Sequence, residues 1–459
     1  MSTSVPAISV AEKLAGRLAN LTPASLPPNV VEMARRLLLD VVGLSVAARH
    51  EPYVQAVLKS IDSGGAATAF GHAGSYDAFG AALLNGTAAH GEDYDDTFEG
   101  GPVHSGAVVV PAVLAACERE NLGGGRLLLG IAVGSELMCR LGLVAPKAIH
   151  TAGFHPTAVL GAVAAAGGVA TALGLPAEQM VSALGIAGSM SAGIIEYLAE
   201  GTWTKRMHAG NAAQAGIRAA LMARGGFLGP RTVFEGDHGF FKAFAPSRKP
   251  DFYPLLDQFG EGWVIEQIAF KPYACGTMTQ PFIDCAIRLT QSGVTAGQIS
   301  DVVCEVGEGT VHRLWEPLAV KHAPQTPYAA KFSTPVCMAL GFIDGKAGLA
   351  QFTEERLSDP AIGALARKIR YVVNPKDEYP KNFTGHLRAT LVDGSVREIR
   401  QPHMRGGAHD PLPIAEIETK FLDNADYGGW DRSSAVQFLE LTRNLFRASD
   451  LSALREYRQ

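Results

Sequence analysis

Four short stretches gather the side chains that could move a proton or hold an anion. The first is His90-Gly91-Glu92-Asp93-Tyr94-Asp95-Asp96-Thr97, followed by His104-Ser105-Gly106. A carboxylate beside imidazoles is how proteins tune a proton-transfer group. If this stretch is helical, i+3 and i+4 spacing puts His90, Asp93 and Thr97 on one face. Taken as an isolated D-x-D-D, it reads equally as a charged helix end, with Asp95 and Asp96 capping or solvated. The second stretch runs from His150 to Thr157. Pro156 suits a first helical turn, which sets His155 at a helix N-terminus, where partial positive charge disfavours imidazolium and attracts anions. The third, Thr204 to Ala213, sets Lys205, Arg206 and His208 before an Ala-rich helix. It is either a basic surface loop or a clamp in which Lys205 or Arg206 pairs with a substrate carboxylate. The fourth, Phe270 to Thr277, holds Lys271 and Cys275. Alone, Cys275 reads as a buried thiol.

Other chemistries lack their signatures. There is no G-x-x-x-x-G-K-[ST] loop, no G-x-G-x-x-G after a strand, no H-E-x-x-H and no G-x-S-x-G. The six cysteines form no C-x-x-C pair and no Cys/His metal spacing. They read as reduced thiols of a cytoplasmic protein. Met1 to Ala11 carries neither the charged nor the apolar part of a targeting signal.

The elements that must position these stretches fall into two kinds. Apolar residues at helical spacing (Val30, Met33, Leu37, Val41, Leu44) follow the start signal Pro27-Pro28-Asn29. Further helices are expected over Ala107–Arg119, Leu127–Leu143, Ala158–Leu173, Glu178–Ser191 and Asn211–Arg224. Gly makes up 51 of 459 residues, above the usual ~7%, and small residues let helix axes approach closely. The nearest candidate for a membrane span, Thr157–Leu175, is mostly Ala and Gly and reads as a buried helix. Near Trp263 the pattern changes. Alternation at Val302–Val306 and Leu387–Leu391 predicts strands, with Asp393-Gly394 as a two-residue hairpin turn. Thr279–Thr290 and Lys331–Leu340 predict helices, and the chain turns helical again from Pro413. The expected fold is mainly α, with residues 1–265 and 405–459 in a helical domain and 266–404 in a smaller α+β domain. A net charge of −5 argues against a general nucleic-acid binder, and a local cationic pocket for a small anion remains compatible with it.

The four stretches, in order and spacing, resemble one family over nearly the whole chain. NGTAAHGEDYDDT (Asn85–Thr97) with His104, GFHPT (Gly153–Thr157), KRMHAGNAAQAG (Lys205–Gly216) and KPYACG (Lys271–Gly276) are similar to blocks of the MmgE/PrpD family. Its members dehydrate 2-methylcitrate, decarboxylate cis-aconitate or epimerise iminodisuccinate. The resemblance implies a large all-helical domain built from both chain ends, a smaller α+β lid and a homodimer. It also implies a cofactor-free site for a small di- or tricarboxylate, without metal, nucleic acid or membrane. The polar positions of the decarboxylase fall on Asp93, Thr97, His104, His155 and Lys205 as catalytic residues. Arg206, His208, Lys271, Cys275 and His150 are the expected substrate-binding residues. Where the decarboxylase has a His and the methylcitrate dehydratases a Glu, this chain has Cys275, as the epimerase-like branch does.

The expected function is therefore a lyase that dehydrates a small hydroxy-di- or tricarboxylate by α-proton abstraction. Epimerisation or decarboxylation of a related polycarboxylate is the first alternative. Two readings from other classes are a terpene-cyclase-like enzyme using Asp93, Asp95 and Asp96, and a non-catalytic helical scaffold. An aromatic content of 8% gives little material for a carbocation cage, and four polar clusters at helix ends argue against a bare scaffold.

Overall fold

The structure is a computed structural model that describes residues 7–459. Residues 1–6, part of the stretch read as lacking a targeting signal, lie outside the described residues. The protein is mainly α and divides into two compact units. The first comprises residues up to Gly91, Asp95–Ile268 and Ile414–Gln459; the second comprises Glu92–Tyr94 and Ala269–Pro413.

The longer helices of the first unit, up to residue 268, are α1 (Val10–Leu18), α2 (Pro28–Ala47), α3 (Ala78–His90), α4 (Gly106–Arg119), α5 (Gly124–Val144), α6 (Pro156–Leu173), α7 (Ala177–Met190) and α8 (Thr204–Arg224). Most start at the signals that the sequence carries. Pro28 and Pro156 occupy first turns, and Asp77 caps α3 by accepting from the Gly80 amide. Gly174, with φ +67°, closes α6 in the left-handed conformation. The expectation of an all-helical unit is corrected by a small antiparallel pair, β1 (Ser63–Thr68) and β2 (Ser75–Tyr76). Ser-Gly-Gly-Ala-Ala-Thr gave no alternation by which to see it.

Close helix crossings explain the glycine excess. A methyl on Gly86 of α3 would lie 2.7 Å from the Gly210 Cα of α8 and 2.9 Å from the Ala107 carbonyl. Gly168 of α6 sits against Gly130 and Gly134 of α5 in the same way. α5 and α6 are long and apolar enough to cross a membrane, but 94% and 89% of their apolar windows are buried inside the protein. They are core helices, as read for the second; the sequence reading had not singled out the first.

The second unit holds α9 (Gln280–Gln291), α10 (Thr334–Asp344) and a four-stranded sheet of β3 (Ile299–Val306), β4 (Ile369–Val373), β5 (Gly385–Leu391) and β6 (Val396–Gln401). The order is β4-β3-β5-β6. β3 and β4 run parallel with Val302 opposite Ile369, and β5 pairs antiparallel with both β3 and β6. Gly394, with φ +82°, makes the expected hairpin turn. The chain then returns to the first unit as α11 (Ile414–Tyr427) and α12 (Arg432–Leu445).

Candidate active site

The first unit brings four imidazoles into one group. His90 is the last residue of α3, His104 lies on the loop before α4, His155 is the N-cap residue of α6, and His208 is in the second turn of α8. The His90 ring lies 5.0 Å from that of His104 and stacks at 5.5 Å on that of His155. His155 Nδ1 and His208 Nδ1 are 3.2 Å apart. Tyr197 edges onto both of these rings, at 6.2 and 5.8 Å. Lys205, one turn before His208, is also buried.

Two aspartates hold this group in place. Asp95 Oδ2 is 2.7 Å from His90 Nδ1 and 3.5 Å from His104 Nδ1. Asp96 accepts from the backbone amides of Ser105 and Gly106, so its side chain caps the start of α4. Its carbonyl accepts from His104 Nδ1 at 2.6 Å, and the His104 amide donates to Thr157 Oγ1 of α6. A loop histidine is thereby pinned from both sides.

Burial sets the electrostatics. Desolvation, reinforced by His90, Lys205, His208 and His104, drives the His155 pKa well below its ordinary value. Desolvation, with His90 and Lys205, lowers that of His208 to about 4. Both rings are therefore neutral at pH 7 and each keeps a lone pair. Desolvation and the charges of Asp95 and Asp40 push the Asp96 carboxyl up to about 8.

Among the described residues, His90, Asp95 and His104 bring three donor atoms within 4.8 Å of one another, the spacing of a possible metal seat. Both imidazole Nδ1 atoms face oxygens, that of His90 at 2.7 Å from Asp95 Oδ2 and that of His104 at 2.6 Å from the Asp96 carbonyl. These contacts join the three residues in one hydrogen-bonded network. The His90 Nε2 is buried with no hydrogen-bond partner. A cleft of about 490 Å³ opens beside His208 and Tyr197, and Glu196 and Glu200 stand on its wall.

The remaining predicted site residues are placed as follows. Thr97 is buried in a two-residue strand of the first unit. Arg206 stacks 4.2 Å above the Tyr53 ring. His150 is exposed on the short helix Ala148–Thr151. The third stretch is corrected: α8 starts at Thr204, so Lys205, Arg206 and His208 are helical and not a loop before the helix. The helical reading of the first stretch is corrected too. α3 stops at His90, and Asp93 has φ +55°, so the proposed common face of His90, Asp93 and Thr97 does not form.

Asp93 belongs to the second unit. There it accepts a 2.5 Å hydrogen bond from the Tyr328 hydroxyl, and its carbonyl accepts from Lys271 Nζ at 2.7 Å. Cys275 is fully buried, and Gln280 Nε2 lies 3.3 Å from its sulfur. Sequence reasoning passed over Tyr197 and Tyr328, which had no motif around them, and gave His90 no role of its own although it opens the first stretch.

Residues 12–253 match the MmgE/PrpD N-terminal domain and residues 273–442 match the MmgE/PrpD C-terminal domain. The chain is 29% identical to a cis-aconitate decarboxylase of Aspergillus terreus, over 95% of this chain and 93% of that protein. It is 28% identical to the cis-aconitate decarboxylases of Mus musculus, over 91% and 87%, and of Homo sapiens, over 97% and 94%.

Proposed function

The chain belongs to the MmgE/PrpD family, and on that premise we propose that it is a cofactor-independent lyase acting on a small di- or tricarboxylate. One observation carries this reading: a buried histidine group in which His155 and His208 are held neutral next to the buried Lys205. Removing a proton α to a carboxylate builds enolate charge on that carboxylate. The site must supply a base with a free lone pair, a cation for the carboxylate and an acid for the departing group.

His155 serves as the base and Lys205 as the carboxylate's counter-charge. His104, next to the Asp95 carboxylate, protonates the departing hydroxyl, which leaves as water. Asp95 orients the imidazoles and does not attack substrate. This is dehydration of a hydroxy-di- or tricarboxylate.

The similarity to cis-aconitate decarboxylases over nearly the whole chain favours a second reading with the same residues. In it carbon dioxide leaves first, and an imidazole returns a proton to the resulting carbanion. A homodimer in the cytoplasm is part of the proposal; light scattering should give a mass near twice the 48.4 kDa of the chain.

The test is turnover in D2O followed by NMR, with citrate, 2-methylcitrate, cis-aconitate and simple hydroxydicarboxylates. Loss of hydroxyl with a new alkene signal supports dehydration. Deuterium at carbon with carbon dioxide release supports decarboxylation, and α-exchange without net bond loss supports epimerisation. Absence of both turnover and exchange on the whole panel would sink the proposal.

A further inference from the structure

Beside the histidine group, the first unit contains a charged pair that the chemistry above does not use. Lys420 of α11 places its Nζ 2.7 Å from Asp40 Oδ1 of α2, with side chains 5% and 0% exposed. The two helices are in tight contact here. One turn beyond Asp40, a methyl on Gly43 would lie 3.3 Å from the Phe421 Cα.

Asp40 lies close enough to Asp96 of the site for its charge to act there. Gly106, whose amide Asp96 binds, packs against Leu37 and Val41 of α2, the residues that flank Asp40 on its helix. The titratable groups that act on Asp96 or feel its charge include Asp95 beside it, Asp40 from α2 and Cys139 from α5. His104 binds its carbonyl, and Asp95 in turn faces His90 and His104. Lys420 is thus the buried ammonium paired with Asp40, whose charge is felt in turn at Asp96. In a low-dielectric interior that balance fixes how many protons the neighbours must carry.

We propose that the Lys420–Asp40 pair is a positioning device for the site: by neutralising Asp40, Lys420 sets how many protons the group of Asp95, Asp96, His90 and His104 holds. This rests on the lyase reading only in saying what those protons are used for. Lys420 acts through the aspartates and not on substrate. A residue of α11, near the C-terminal end of the chain, would then tune a site whose histidines all come from the first half.

The experiment is a substrate-free titration of [13Cε1]-histidine signals in the full-length protein, with wild type, Lys420→Gln, Asp40→Asn and the double variant. Losing the ammonium adds net negative charge, so Lys420→Gln should raise the site-histidine midpoints by about one pH unit. Asp40→Asn leaves the ammonium uncompensated and should lower them. The double variant restores the charge balance and should return them to wild type. Opposite shifts that cancel are not expected of a merely structural contact. Midpoints within ~0.2 unit of wild type in both single variants would overturn the proposal. So would a result in which only the double variant folds, since the pair would then serve stability alone. Because no substrate enters, the titration stands or falls separately from the turnover panel.

Discussion

Replacing Gly210 by alanine tests whether close helix packing positions the site. Gly210 lies on α8, two residues after His208, where α8 crosses α3 one turn before His90. A methyl there would run into the Leu83 carbonyl oxygen and come within 2.8 Å of Thr87 Oγ1. The first obstacle is backbone and cannot rotate away. The helices must then separate on the order of 1 Å to regain ordinary contact. Overpacking costs about 1–3 kcal/mol, and a backbone clash belongs at the upper end. Alanine returns about 1 kcal/mol of helix propensity, which leaves a net loss of about 2 kcal/mol. A misplacement of ~1 Å between His90 and His208 should also lower kcat/KM on the substrate found in the panel by about 10²-fold. The assay is urea unfolding followed by circular dichroism, alongside kinetics. Gly16 on α1 supplies the control, because nothing lies within 4 Å of a methyl placed there. Gly16→Ala should stabilise by about 0.5–1 kcal/mol and leave activity unchanged. If Gly210→Ala matches wild type in both stability and turnover, the crossing does not position the site.

Four further outcomes follow from the site. His104→Gln and His155→Gln should each lower kcat by about 10²–10⁴-fold and remove one limb of the pH–rate profile; losses under tenfold with both limbs intact would make them positioning groups only. Lys205→Ala should weaken transition-state binding by about 2–5 kcal/mol, and an unaltered kcat/KM would remove Lys205 from the site. Asp96 has a folded pKa of about 8 against 3.8 for an ordinary aspartate, so the native state holds this proton more tightly than the unfolded chain. Its contribution to stability is full below pH ~4 and is lost as pH rises toward ~8; Asp96→Asn should flatten that part of the stability–pH curve, and denaturant melts with identical slopes in both proteins would refute the assignment. Finally, chelator-treated protein should keep its turnover, and recovery only on adding a divalent metal would return His90, Asp95 and His104 to consideration as ligands.

The sequence by itself determined what depends on neighbours along the chain. Helical spacing from Val30 to Leu44 gave α2, and alternation with Asp393-Gly394 gave the β5–β6 hairpin. Pro156 gave His155 its place at the start of α6. These signals are local because hydrogen bonds to i−4 and cross-turn pairs are local. Lys205 and His208 were legible as residue types but not as helical ones, since Thr204–His208 has no apolar period; it forms the start of α8, whose Gly210 and Gly216 pack closely against α3 and α6. Only the tertiary structure decided that Asp93 bonds to Tyr328, 235 residues further on, and that Lys420 meets Asp40. It alone turned Asp96 from a surface charge or plain helix cap into a buried acid with its pKa raised to about 8. Proximity of distant residues and loss of water around them are properties of the packed helices together, and no window of the sequence contains them.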